Sequence, residues 1–247
     1  MKIFNKKIIL LTLPILTAAT YMLCKKIYKP NPIEYAHQYV AHQEQQTWNA
    51  LTSVDIEKET LESKANQLEP ALLKQQKETK SSGTVSQETK DFALSILSSC
   101  GIDTKNILVV ATDMESPAAA TETVLYINEK LLKSYSKNVQ HFILGHEAQH
   151  MIHKDYLNKW ALTNVMKDKN VSYERDEVND PSNCYSRFCE WRADVNSALK
   201  GKEFAEGYLE FVQSMVDEDY FNPGTTHPLD SERLALAKEI YSEVAQA

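Results

Sequence analysis

Phe142-Ile143-Leu144-Gly145-His146-Glu147-Ala148-Gln149-His150 sets two imidazoles four residues apart, with a carboxylate beside the first. On a helix, positions i and i+4 share a face, so nitrogens of His146 and His150 can converge on one metal ion. Glu147 lies about 100° round the helix from His146, where it can act on a water next to the metal without taking a coordination position. Two neutral donors, one general base and an open position point to metal-assisted hydrolysis. Val139, Phe142 and Ile143 precede the histidines at helical spacing, so the motif continues an apolar stripe. The competing reading is a pair of hydrogen-bonded histidines in an ordinary core helix.

A catalytic zinc takes a third protein ligand. The positions three and six residues beyond His150 hold His153 and Tyr156, which excludes a third histidine ligand from an extended motif of that type. His153 reads as a surface or supporting residue. The better candidate lies in Ser186-Arg187-Phe188-Cys189-Glu190-Trp191-Arg192-Ala193-Asp194-Val195-Asn196-Ser197-Ala198, which lacks a helix breaker. Glu190, Asp194 and Ala198 recur every four residues and share one face. Glu190 can bind the metal, and Asp194 can fix the tautomer of a ligating histidine from its far nitrogen. Ala198 is small enough to let this helix approach the first. Alternatively, the two acids are exposed and pair with Arg187 and Arg192 on the helix surface.

A third segment, Thr225-Thr226-His227-Pro228-Leu229-Asp230-Ser231-Glu232-Arg233, adds a histidine before a proline and an arginine six residues on. The three motifs, in this order, resemble zinc metallopeptidase family forty-eight, which includes HtpX, the CAAX prenyl proteases, and periplasmic and mitochondrial quality-control proteases. The resemblance covers roughly residue 106 to the C-terminus. It implies one Zn²⁺ held by His146, His150 and Glu190, with Glu147 as base and Asp194 as its supporting carboxylate. By the same resemblance His227 stabilises the oxyanion or gates the metal, and Arg233 braces the site against an acidic partner.

The implied function is zinc-dependent endopeptidase action on unfolded or misassembled polypeptides at the cell envelope. A metal-binding chaperone or adaptor with a latent site is the first alternative. A structural envelope protein with core histidines is the second. Membrane-embedded members of the family carry spanning segments where this chain has the charged stretch 165–183, so a prenyl-protein substrate is not expected.

The 247 residues suffice for one substantial domain and an appendage, and the net charge of −7 is interspersed rather than blocked. No nucleic-acid footprint is present. Residues 1–7 are basic, residues 8–24 are apolar without a charge, and Lys25, Lys26 and Lys29 follow. Such a run suits an uncleaved single-pass anchor with the catalytic part outside the cytoplasm, or a signal peptide cleaved near Thr17-Ala18-Ala19. Besides Cys24, only Cys100, Cys184 and Cys189 occur, too few for a disulfide framework. Cys184 and Cys189 pair only if a loop brings them together.

Residues 33–80 carry Val40, Trp48, Leu51, Leu61, Leu68, Leu72 and Leu73 at loose helical intervals. They read as two helices, broken near Thr52-Ser53 and near Pro70, which form a spacer, a cap or a loosely ordered linker. Ser81-Ser82-Gly83-Thr84 marks a boundary. Ser86 caps the next helix, and residues 107–111 and 123–127 read as strands linked through residues 116–120. The second strand, just ahead of the zinc helix, offers an edge for an extended peptide. The expected fold is α+β: a mostly helical, gluzincin-type metallopeptidase domain at 85–247 with a small sheet beside the active helix. A membrane segment at 1–30 and a helical spacer or cap at 31–84 precede it.

Overall fold

A computed structural model describes residues 31–79, 83–172, 177, 179–217 and 227–245. The anchor or signal segment expected at 1–30 lies outside them. Among the described residues no helix is long and apolar enough to cross a membrane.

The fold is α+β, mostly helical with one three-stranded sheet. Helix α1 (Pro32–Ser53) starts at Asn31, whose side chain accepts from the Ile33 and Glu34 amides, with Pro32 in the first turn. It ends before Asp55, which is left-handed at φ 63°. Helix α2 (Lys58–Lys77) then runs straight through Pro70, against the break expected there. Proline removes the amide that would bond the carbonyl of residue 66, but Pro70 is on an exposed face where water can satisfy that carbonyl. The opposite face, with Leu61, Ala65 and Leu72 buried, holds the helix in register.

Helix α3 (Gln87–Ser99) is capped by Ser86 as expected. The sheet follows: β1 (Leu108–Ala111), β2 (Ala118–Ala120) and β3 (Val124–Ile127). The stretch expected to be only a linker supplies β2. Strand order is β1-β3-β2, with β1 parallel and β2 antiparallel to β3. The two expected strands therefore do not make a hairpin, and β3 is central rather than an edge.

Helices α4 (Glu129–Ser134), α5 (Lys137–Ile152), α6 (Asp155–Asp168), α7 (Pro181–Ala198), α8 (Lys202–Asp217) and α9 (Asp230–Val244) complete the chain. α5 is central. It packs against α7, α8, α3 and β2. Phe142 stacks on Tyr208 of α8 at 4.8 Å, and Trp191 of α7 meets Tyr39 of α1 edge-on at 4.7 Å. Two glycines let the helices close. A Cβ on Gly207 would lie 2.0 Å from the Asn138 carbonyl oxygen, and one on Gly145 would lie 2.5 Å from Ser197 Oγ. Ser197 is a second small residue against α5 beside the buried Ala198, and its hydroxyl donates to the Phe142 carbonyl at 3.1 Å.

A second apolar cluster joins Leu51, Ile56, Leu61, Ala65 and Leu72 to Leu157, Leu162, Tyr185 and Phe188. The two N-terminal helices thus share a buried core with α6 and α7. Thr47 donates to the Cys184 carbonyl at 3.2 Å, and Lys154 pairs with Glu69 at 2.6 Å across the same seam.

Candidate metal centre

Ser136 caps α5 through the Val139 amide, and the buried residues Val139, Phe142, Ile143 and Leu144 seat it in the core. That leaves His146 and His150 half-buried on one face, one turn apart. Their Nε2 atoms lie 2.9 Å from each other and 3.2 and 3.6 Å from Glu190 Oε2 of α7. Bonds of about 2.0–2.1 Å in a tetrahedral centre place donor atoms roughly 3.3 Å apart. His146, His150 and Glu190 match that triangle and can hold a metal ion.

The hydrogen bonds behind the triangle fit the same occupant. His146 Nδ1 is 2.9 Å from Asp194 Oδ1, and His150 Nδ1 is 2.8 Å from Asp155 Oδ2. Carboxylates only accept, so each Nδ1 donates and each neutral ring aims a lone pair from Nε2 at the other. Two lone pairs and a carboxylate oxygen then face one another, an arrangement that a cation between them can satisfy. Burial by itself would lower the pKa of both rings. Asp194 and Glu190 overturn this at His146 and push it up to about 10; Glu190 and Asp155 push His150 up to about 9. Glu190 shows the converse. Burial favours its neutral form, yet His150 and Lys159 hold it well below the usual carboxylate range. The buried carboxylates thus favour positive charge at this spot, as protons on the rings or as a metal ion in their place.

Lys159 of α6 sits 3.5 Å from Glu190 Oε1, so this carboxylate turns one oxygen to an ammonium and the other to the histidines. Glu147 is only 9% exposed and makes no hydrogen bond or ion pair among the described residues. Its carboxylate is therefore uncommitted. His227 also comes near, with Nε2 at 4.0 Å from Glu190 Oε2 and its side chain 58% exposed. Arg233 is buried and grips Asp194, Nε to Oδ2 at 2.8 Å and one terminal nitrogen to Oδ1 at 3.1 Å. The acidic partner expected for Arg233 is thus Asp194 itself.

Contacts join His146, His150, Glu190, Asp194, His227 and Arg233, and Glu147 follows His146 in α5. His153 does not join the three candidate ligands; it is the C-cap of α5. Cys189 is fully buried in the second apolar cluster, where burial pushes its thiol well up. Cys184 and Cys189 both lie on α7 without a disulfide. Five residues apart on a helix, they point about 140° away from each other.

Three residues of the site were not read as part of it: Asp155, Arg192 and Lys159. Asp155 follows a turn that reverses the chain after α5, and no motif spacing marks such a return. Arg192, one of the arginines assigned to a helix surface, is largely buried and bonds Asp155.

No family model matches this chain, and neither a curated protein nor a solved structure matches it.

Proposed function

We propose that this chain is a zinc endopeptidase of the family-forty-eight type. The observation that carries the reading is the donor triangle His146–His150–Glu190, with both Nδ1 atoms anchored on buried carboxylates and an uncommitted Glu147 in the same helix. Two imidazoles and one carboxylate are the ligand set of a hydrolytic zinc with an open fourth position. Bound there, zinc supplies a Lewis acid and lowers the pKa of water at that position.

The residues of the chain do the rest. Glu147 takes the proton from water attacking a scissile carbonyl and passes it to the leaving amine. His227, at the exposed mouth, donates to the developing oxyanion. Asp194, clamped by Arg233, keeps the His146 ring in one tautomer and plane. The edge beside α5 is β2, which has β3 on one side and no strand on the other among the described residues. It offers an extended peptide a backbone to pair with, which supports unfolded polypeptide as substrate class. The charge-free run 8–24, between basic residues, supports a membrane anchor.

One observation favours a second reading. His227 lies near enough to Glu190 to fill the fourth position, which would make a latent metal site of the chaperone or adaptor kind.

The test uses the full chain purified in detergent, with zinc measured by mass spectrometry and cleavage of an unfolded polypeptide followed over time. Glu147→Gln should keep zinc and lose activity about 10²–10⁴-fold. His227→Ala should lower kcat if the histidine donates to the oxyanion and raise it if it blocks the metal. Absence of zinc from the wild type, or undiminished cleavage by Glu147→Gln, sinks the reading.

A further inference from the structure

The metal helix is supported on two sides, and the motif spacing identifies only one of them. His146 bonds Asp194, which Arg233 clamps. His150 bonds Asp155 Oδ2 at 2.8 Å, and an Arg192 terminal nitrogen donates to the other oxygen, Oδ1. Both acids are buried, with side chains 0% and 3% exposed for Asp194 and Asp155. The two chains of contacts have the same order: imidazole, aspartate, guanidinium. We propose that Asp155 and Arg192 are positioning residues for the metal centre, acting on His150 as Asp194 and Arg233 act on His146. The inference rests on the metal-centre reading above.

Three features set this contact apart from an incidental surface pair. First, Asp155 is five residues beyond His150, and on a continuous helix it would point about 140° away. The chain returns because α5 ends at Ile152 and Lys154 adopts a left-handed conformation, φ 52° and ψ 43°. That conformation costs a non-glycine residue about 1–2 kcal/mol, so packing must hold it. Second, the turn is pinned. Lys154 pairs with Glu69 of α2, and the Leu157 amide donates to Glu122 at 2.8 Å. Third, Arg192 lies over the Phe188 ring at 4.7 Å and comes from α7, the helix that supplies Glu190. One helix therefore provides the third ligand, one orienting carboxylate, and the arginine that fixes the other.

The bland account of Asp155 is an acid in the first turn of α6, favourable to the helix dipole. A dipole role predicts loss of stability that is equal with and without metal. A positioning role predicts loss of metal affinity. The experiment measures zinc affinity of the full chain by chelator competition, together with the visible spectrum of its Co²⁺-loaded form and the melting temperature without metal. Asp155→Asn and Arg192→Gln are compared with wild type, with Asp194→Asn as the matching substitution on His146. Lys64→Ala, which breaks an exposed pair with Asp168, serves as control.

Asp155→Asn should lower zinc affinity about 10–100-fold and shift the Co²⁺ bands, as Asp194→Asn does, while the control does neither. Arg192→Gln should act in the same direction with a smaller loss. If Asp155→Asn does not fold, the Arg192→Gln result decides alone. Zinc bound by wild type and weakened by Asp194→Asn, but unchanged in both the Asp155 and Arg192 variants, overturns the second relay and leaves the metal centre standing. A wild type that binds no zinc overturns both.

Discussion

Gly145→Ala probes the point where the metal helix meets the helix that carries Glu190 and Asp194. A Cβ at residue 145 would meet Ser197 Oγ at 2.5 Å and the Phe204 ring carbons at 2.7 and 2.9 Å. Ordinary contact begins near 3.4 Å, so α5 must withdraw from α7 and α8 by about 0.9 Å at its tightest point. Ser197 can turn aside only by surrendering its bond to the Phe142 carbonyl. Phe204 is buried against α5, edge-on to His141 at 5.7 Å, and has little room to yield. Overpacking of this kind costs about 1–3 kcal/mol, while replacing a helical glycine by alanine returns up to about 1 kcal/mol. With that gain taken in full, the expected net loss is up to about 2 kcal/mol. The same withdrawal carries the His146–Asp194 contact from 2.9 Å to about 3.8 Å, outside hydrogen-bonding range. Zinc affinity should therefore fall at least about tenfold. Thermal denaturation of the metal-free chain and chelator competition read the two effects separately. A variant as stable as wild type or more so, with unchanged zinc affinity, refutes the close packing of α5 on α7 and α8.

Two further substitutions test other parts of the fold. Ile56→Ala empties a fully buried position in the cluster shared by the N-terminal helices with α6 and α7; it should cost about 2–5 kcal/mol within a single unfolding transition. A separate early transition for α1 and α2 would contradict the shared core. Glu129 accepts from Lys133, Ser86 and Thr89, which together hold its carboxyl down at about 2, against 4.5 ordinarily. Since the folded pKa is the lower one, its stabilisation is complete above about pH 4.5 and disappears as pH falls through 2. Glu129→Gln should thus melt below wild type at pH 7 and match it near pH 2, where the protonated acid resembles the amide. An equal deficit at both values contradicts the ionised network.

The ligand helix was legible because its information is local. The i, i+4 spacing of His146 and His150, the stripe through Val139, Phe142 and Ile143, and the cap at Ser86 all act within a few residues. A helix of fixed period turns such spacing directly into geometry. Glu190 and Asp194 shared a face for the same reason. The break expected at Pro70 failed because a residue's propensity is outweighed when its own face is solvated and the opposite face is packed, a circumstance only α6 provides. Residues 116–120 carry no alternating pattern, and they form β2 because β3 and α5 lie beside them; that placement makes β3 central and moves the edge to β2. The second carboxylate behind the metal was hidden for a similar reason. Asp155 reaches His150 only because a left-handed Lys154 reverses the chain, and Arg192 reaches Asp155 only because α6 and α7 pack together. Local sequence thus determined which side chains share a helical face. Contacts between helices decided which of them meet across the core, because they depend on how distant segments fill the same volume.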